Sequence, residues 1–417
     1  MRVLLVTAAF PPEPIVTART SWDVADELAN RGHLVRVIAP FPSRPPGVKY
    51  SGFDRRLTGR TERLTSGVEV IRCWSVFSRS STLLSRLIEN ASFGLTAAIA
   101  MLLARRFDAI YSNTWPLFAT GLVAVVSRMR NIPLVLTVQD LYPESLCLQG
   151  RLAEGSVPIR LLLRLDRWIA RAATFLLLLG ESSAREYVKN RSIYSKRCLV
   201  VPNWTNLELA SSPQAAARFR EGMAIPKETF LLVYCGNVGA AAGVERLIGA
   251  LVSLPDDSDA GLLVAGEGSR LSECERLTRK LPPGRVWFHH PFPDSETSAV
   301  LGAANVCVVP TSGDQSAASV PSKLMAYMLA GKPVIAVALG NSDMATVMHA
   351  SRCGWLVPPN SEQEFMRTLA MVRALPVEEL QARGEAGRAY ALEHFTRTAG
   401  APRVADAIES AGRGAGH

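Results

Sequence analysis

At 417 residues the chain is too long for one typical domain and predicts two of about 200 residues each. With 48% hydrophobic and 20% charged residues it can build large cores. The formal net charge of +9 collects in the first half, where residues 1–200 hold 27 Lys and Arg against 15 Asp and Glu. That bias suits a diphosphate ligand or an anionic membrane surface, whereas the absence of a basic motif with interleaved aromatics sets nucleic acid aside.

The first stretch, RVLLVT (2–7), is an apolar β-rich run that meets the proline-rich loop AFPPEPIVTART. A helix is predicted from about Ser21 to Asn30, closed by Gly32, and HLVRVIAP is the next strand. This βαβ opening puts a loop at the carboxyl end of a parallel strand, where such sheets bind ligands, and makes Arg19 a candidate anion contact. Residues 41–65 read as a long Pro-, Gly- and Arg-rich loop. Strand VEVIRCW, a helix over 82–105, strand DAIYSN, a helix over 116–130 and strand PLVLTVQD follow. Asp140 and Glu144, in QDLYPES, thereby stand at a strand's carboxyl end as candidate acids, bases or sugar-hydroxyl ligands.

A helix over 156–173, strand TFLLLLG, a short helix over 184–189 and strand CLVVPNW complete the first parallel sheet. Residues 209–229 are polar with no strand pattern and read as a connection into strand FLLVYCG. Two apolar stretches, 83–107 and 159–180, are interrupted by charges such as Arg86, Glu89, Arg164 and Asp166, so each is expected as a helix beside a core or on a surface. MRVLLVTAAF has no secretory pattern. The seven cysteines are scattered without a CxxC pair and suit reduced thiols in a cytosolic protein, and the six histidines lack metal-ligand spacing.

The second half repeats the βα rhythm, with strands at 230–235, 261–266 and 285–290 and helices at 244–253, 270–281 and 294–303. Two glycine loops follow strands: GNVGAAAG, with Gly236, Asn237 and Gly239, and GEGS, with Gly266, Glu267 and Gly268. The stretch from Asn305 to Val337 reads strand, loop, helix, strand. Its helix places Leu324, Met325, Met328 and Leu329 on the sheet face and leaves Lys323 and Tyr327 near the other side. The small polar loop Ser316–Ser322, holding Ser319, Val320 and Ser322, meets that helix at its N-terminus, where free backbone N–H groups and the dipole favour an anion. Lys323 adds a point charge. Amphipathic helices are expected over 378–411.

In this order the segments PPEP, RGHLVRVIAP, TVQDLYPES, VPNWTN, YCGNVGAAAGVERLIGAL, VAGEGS, VPSKLMAYMLAGKPVIA and CGWLVPP resemble the family-4 glycosyltransferases of GT-B fold. The subset they are most similar to is the bacterial one that builds surface polysaccharides on lipid carriers. The resemblance implies two Rossmann-like α/β domains with a cleft between them: an N-terminal acceptor domain, 1–206, and a C-terminal donor domain, 207–395. A last helix, about 396–417, returns to the first. It implies a nucleotide-sugar co-substrate, no divalent metal and no other cofactor. Where the family carries two glutamates eight positions apart, this chain has Ala318 and Ala326. The family's histidine before the aspartate of TVQD is Gln139, and the basic residue of the first glycine loop is missing.

The expected activity is transfer of a hexosyl or N-acetylhexosaminyl group from a nucleoside diphosphate to a hydroxyl, with retention implied by the resemblance. The acceptor expected is a lipid-linked saccharide in surface polysaccharide synthesis. Donor contacts fall to Gly236, Asn237, Gly239, Gly266, Glu267, Gly268, Ser319, Val320, Ser322 and Lys323. Arg19 and Asp140 are the candidates at the reacting centre, with Glu144 on the acceptor side. The alternatives are a catalytically silent sugar-nucleotide or polysaccharide-binding protein and a nucleotide-sugar 2-epimerase. The basic first half, with Arg44, Lys49, Arg55, Arg56, Arg60 and Arg63 in its loop, is expected to rest on the inner face of the cytoplasmic membrane.

Overall fold

Short β-rich runs alternating with amphipathic segments pair as parallel strands because each crossover helix returns the chain to the same end of the sheet. The computed structural model describes residues 1–44, 50–53, 59–77, 83–113, 117–148, 150–205, 209, 211–240, 242–255, 258–279, 281–311 and 320–414. Those residues form two units, Met1–Asn203 with Arg397–His417, and Trp204–Thr396.

The N-terminal unit begins β1 (Arg2–Val6), α1 (Val16–Asn30), β2 (Leu34–Pro40), β3 (Arg60–Arg63), β4 (Glu69–Cys73), α2 (Leu83–Leu103) and β5 (Ala109–Asn113). It continues with α3 (Leu117–Arg130), β6 (Leu134–Val138), α4 (Glu144–Leu148), α5 (Val157–Ala172), β7 (Phe175–Leu178), α6 (Glu181–Arg191) and β8 (Cys198–Val200). The strand order is β3-β4-β2-β1-β5-β6-β7-β8, parallel except for β3. Helix α1 starts at Val16, earlier than the predicted Ser21, so Arg19 sits on the helix and not in the loop before it. The stretch read as an unbroken loop from 41 to 65 contains β3, which pairs antiparallel with β4 and is tied to it by an Arg72–Glu62 ion pair of 2.9 Å. Gly67 at φ 83° makes the turn between them.

The C-terminal unit comprises α7 (Pro213–Gly222), β9 (Phe230–Cys235), α8 (Val244–Leu251), β10 (Ala260–Ala265), α9 (Leu271–Thr278), β11 (Val286–His289) and α10 (Thr297–Gly302). Then come β12 (Val306–Val309), α11 (Ser322–Leu329), β13 (Val334–Val337), α12 (Asp343–Ser351), β14 (Gly354–Val357), α13 (Glu362–Arg373) and α14 (Val377–His394). Its strands run β11-β10-β9-β12-β13-β14, all parallel. The chain then rejoins the N-terminal unit as α15 (Arg397–Gly414), where Asp406 and Glu409 pair with Arg31 at 2.6 and 3.2 Å. The connection expected over 209–229, read as having no strand pattern, carries helix α7. Ser212 caps it by accepting from Ala215 N at 3.1 Å, and Pro213 fills the first turn.

Tyr327 is the clearest departure in packing. Expected near the outer side of its helix, it is 1% exposed, because it turns in toward the sheet and its hydroxyl meets the backbone of Cys235 at the end of β9. Helix α14 packs on α11 as well. That helix comes close through glycine: a Cβ on Gly384 would stand 2.1 Å from Gly331 O. Leu324, Met325, Met328 and Leu329 are buried in the same core.

Candidate functional site

Open parallel sheets take ligands outside the carboxyl ends of the strands where strand order reverses. In the C-terminal unit that point lies between β9 and β12. Gly236 leaves β9 at φ 138° and Gly266 leaves β10 at φ 137°, a conformation that side-chain-bearing residues rarely adopt. The two turns interlock, since Gly236 N donates to Ala265 O at 2.9 Å and Val238 N donates to Glu267 O at 2.8 Å. Space is as restrictive as conformation: a Cβ on Gly266 would stand 2.2 Å from Gly236 O, and one on Gly268 2.3 Å from Val238 O. Asn237, Glu267 and Gly268 are exposed at the surface so formed, and Gly239 is partly exposed.

Helix α11 delivers a cation to the same place. Lys323, in its first turn, runs beside Gly236 and sets its Nζ 5.5 Å from the centroid of the Tyr234 ring. No carboxylate pairs with it among the described residues, and burial lowers its pKa from the ordinary lysine value. No side chain caps α11, so its first N–H groups and its dipole act with the ammonium. A half-buried cation, free helix amides and two glycine turns together form a site for an anion of diphosphate type. Val320 is buried beneath it and Ser322 is exposed; Ser319, with Ala318, lies outside the described residues.

Two tyrosines support the site that the sequence did not single out. Tyr234 stacks with the lysine, and its hydroxyl donates to Asn237 O at 2.6 Å. Strands β9 and β12 pair only as far as Val233 and Cys307, and past that point the Tyr327 hydroxyl accepts from Cys235 N at 2.8 Å. An aromatic at the end of an apolar strand was the available signal for Tyr234. For Tyr327 there was none beyond its helical spacing. A cavity of about 380 Å³ opens on the other face of this sheet between α8 and α13. Its lining is mostly apolar and its Arg246 is bound to Asn360 at 2.6 Å, so it offers a diphosphate less than the lysine site does.

In the N-terminal unit the strand order reverses between β1 and β5. Thr7 Oγ1 lies 3.0 Å from Ser21 Oγ there and accepts from Asn113 Nδ2 at 3.4 Å. Asn113 Oδ1 is buried with no partner among the described residues. Asp140 stands two residues past the end of β6 with no ion pair or side-chain hydrogen bond among the described residues; the residue is open to solvent, yet the protein packed around its carboxyl desolvates it enough to raise its pKa above the ordinary 3.8. Arg19 is exposed on α1, and no described contact joins it to Asp140. Glu144 is drawn into the fold instead of the rim. It accepts from Asn190 at 3.0 Å and from the fully buried Arg191 at 2.8 Å. Burial opposes its ionisation, but the arginine outweighs this and holds the carboxyl below its ordinary range. Arg191 also donates to Asp166 at 2.7 Å and to Tyr142 O at 2.9 Å, so it fixes the turn after Asp140. Glu13 of PPEP, unassigned in the sequence, is buried and accepts from Ser43 N and Arg44 N at 2.8 and 2.9 Å. Among the described residues no group of three or more His, Cys, Asp or Glu is placed to hold a metal ion.

Comparison with known proteins adds an independent line. Residues 17–204 match the family model "Glycosyl transferase 4-like domain", and residues 229–373 match "Glycosyl transferases group 1". A Pseudomonas aeruginosa protein described as "Probable glycosyltransferase WbjE" is 27% identical over 66% of this chain and 69% of its own length. The Escherichia coli K12 protein "Putative colanic acid biosynthesis glycosyl transferase WcaI" is 22% identical over 95% of this chain and 98% of its own. Among solved structures, Anabaena Alr3699/HepE in complex with UDP superposes with a TM-score of 0.71 at 18% identity, covering 98% of this chain and 100% of that one.

Proposed function

The chain belongs to the family-4 glycosyltransferases of GT-B fold, and on that premise we propose that it moves a sugar from a nucleoside diphosphate to a hydroxyl of a saccharide acceptor. The observation that carries the donor half is Lys323, without a carboxylate partner among the described residues, set against the interlocked Gly236 and Gly266 turns. In the reaction the anomeric carbon exchanges its bond to the β-phosphate oxygen for one to the acceptor oxygen, and the acceptor proton leaves to a base. The departing diphosphate gains negative charge, which a fixed ammonium, helix N–H groups and turn amides stabilise without reorganising. Two relatives named for colanic acid biosynthesis support a saccharide acceptor, and we extend that reading to a lipid-linked one.

We assign the acceptor side to the N-terminal unit, with Asp140 as base or sugar ligand. Its lack of a partner among the described residues and its raised pKa both support that role. Retention of anomeric configuration is part of the same reading. Seven cysteines outside any disulfide, five of them buried, suit a reducing compartment such as the cytoplasm.

The experiment is to incubate the purified protein with a panel of nucleotide sugars, with and without a lipid extract carrying saccharide acceptors. Release of nucleoside diphosphate that depends on acceptor is the expected result. Interconversion of the sugar while still on its nucleotide would indicate an epimerase, and binding without release a silent carrier.

A further inference from the structure

Helices α2, α3 and α5 form one layer on the N-terminal sheet, and the charge they show to solvent has a single sign. Their only carboxylates are Glu89 and Asp166, and both are buried against arginines. Glu89 receives Arg86 at 2.8 Å and Arg44 at 3.4 Å, and Asp166 receives Arg191 at 2.7 Å. What remains outward on the helices is cationic, Arg128 on α3 and Arg160, Arg164 and Arg171 on α5; past the helix ends Arg105 and Arg106 are exposed, with Asp108 and Glu154 at the rim.

The same layer is apolar at its surface. Helix α2 exposes Leu84, Leu87, Ile88, Leu95, Ile99 and Leu102, each at 39 to 65%. Their spacing keeps them on one stripe, while Phe93, Ala97 and Met101 on the other side are buried in the core shared with α3. On α5 the outward stripe interleaves both kinds of residue, with Val157, Leu161 and Trp168 between the three arginines.

We propose that this layer rests on an anionic lipid bilayer, with α2 in the plane of the headgroup–acyl boundary and the arginines of α3 and α5 on lipid phosphates. By length and composition α2 could cross a membrane, but its inner face is committed to the unit's core, which keeps the helix in the plane. A second copy of the chain fits less well: two such faces would set arginine against arginine with no carboxylate between them, whereas a bilayer brings both an apolar phase and negative charge. The loop first expected to make this contact is the weaker candidate. Arg44 is paired with Glu89, Arg60 donates to Gly52 O and Arg63 is exposed on β3, while Lys49, Arg55 and Arg56 lie outside the described residues.

Vesicle sedimentation of the full chain, with no nucleotide sugar present, tests the surface separately from the transferase reading. Binding is expected to phosphatidylglycerol vesicles and not to phosphatidylcholine alone, and to fall along a salt series because screening acts over about 8 Å at physiological ionic strength. The triple variant Leu87→Gln/Ile99→Gln/Leu102→Gln should lower partitioning on the order of tenfold, and Arg160→Glu/Arg164→Glu should remove the preference for anionic lipid. All five positions are exposed, so thermal unfolding of both variants should match the wild type. Wild type left in the supernatant with both lipids at low salt would overturn the proposal, as would an α2 variant that pellets like the wild type. So would a wild-type dimer by light scattering that the α2 variant abolishes, since a second copy would then cover the face.

Discussion

Lys323 passes so close to Gly236 that a Cβ on the glycine would stand 2.5 Å from the lysine Cε and 3.3 Å from its Nζ. The first glycine turn and the first turn of α11 are therefore one device, in which the missing side chain makes room for the cation. Lys323→Ala should weaken binding of a nucleoside diphosphate by about 1.5–3 kcal/mol, the scale of a hydrogen bond to a charged group. Calorimetry with a panel of nucleoside diphosphates reads this directly, and unchanged affinity would move the donor site elsewhere.

Gly236→Ala should reproduce much of that loss with the lysine still present. The new methyl group displaces Cε and forces a side chain into φ 138°. Gly266→Ala should behave differently. Its Cβ meets the backbone oxygen of Gly236 at 2.2 Å, which cannot swing aside as a lysine can. Differential scanning of the two variants should show the larger fall in melting temperature for Gly266→Ala, and equal falls would refute the distinction.

Asp140→Asn should lower turnover by one to several orders of magnitude, on the order of 10²–10⁴ for a lost general base, and leave thermal unfolding near that of the wild type. Desolvation raises the folded pKa of this carboxyl above 3.8, and the base must be ionised. Wild-type kcat/KM should then fall with acid through a pKa above the ordinary aspartate value, and the variant should lack that limb. If stability and turnover drop together, Asp140 holds the fold and does no chemistry.

Arg191→Met should destabilise the N-terminal unit by about 3–5 kcal/mol, because it strands Asp166 and Glu144 without their shared cation. Glu144 adds a pH signature. Its folded carboxyl lies below the ordinary 4.5, so its contribution is complete above that pH and disappears as pH falls through the lower folded value. Denaturation curves of the wild type and Glu144→Gln should separate above about pH 5 and converge in stronger acid. A gap that persists in acid would mean that charge is not what Glu144 supplies.

The sequence alone determined the alternation of strands and helices, the glycine turns after β9 and β10, and the lysine at the start of α11. All three are written locally. Apolar periodicity reports which face of an element is buried, and a glycine before a polar turn reports backbone that a Cβ would forbid. Strand β3 was missed because an edge strand of four residues, RTER, has no apolar face to show. Tyr327 was misplaced because periodicity located the apolar side of α11 and could not reveal that the backbone of Cys235, on a strand distant in sequence, takes up its hydroxyl. Tertiary structure alone decided what depends on elements distant in sequence. It gave Glu144 to Arg191 and left Asp140 with no partner among the described residues, and it brought Asp406 and Glu409 of α15 back to Arg31 on α1. A carboxylate's role is set by the charges and solvent around it once the chain is folded, and a linear reading sees the residue type without those neighbours.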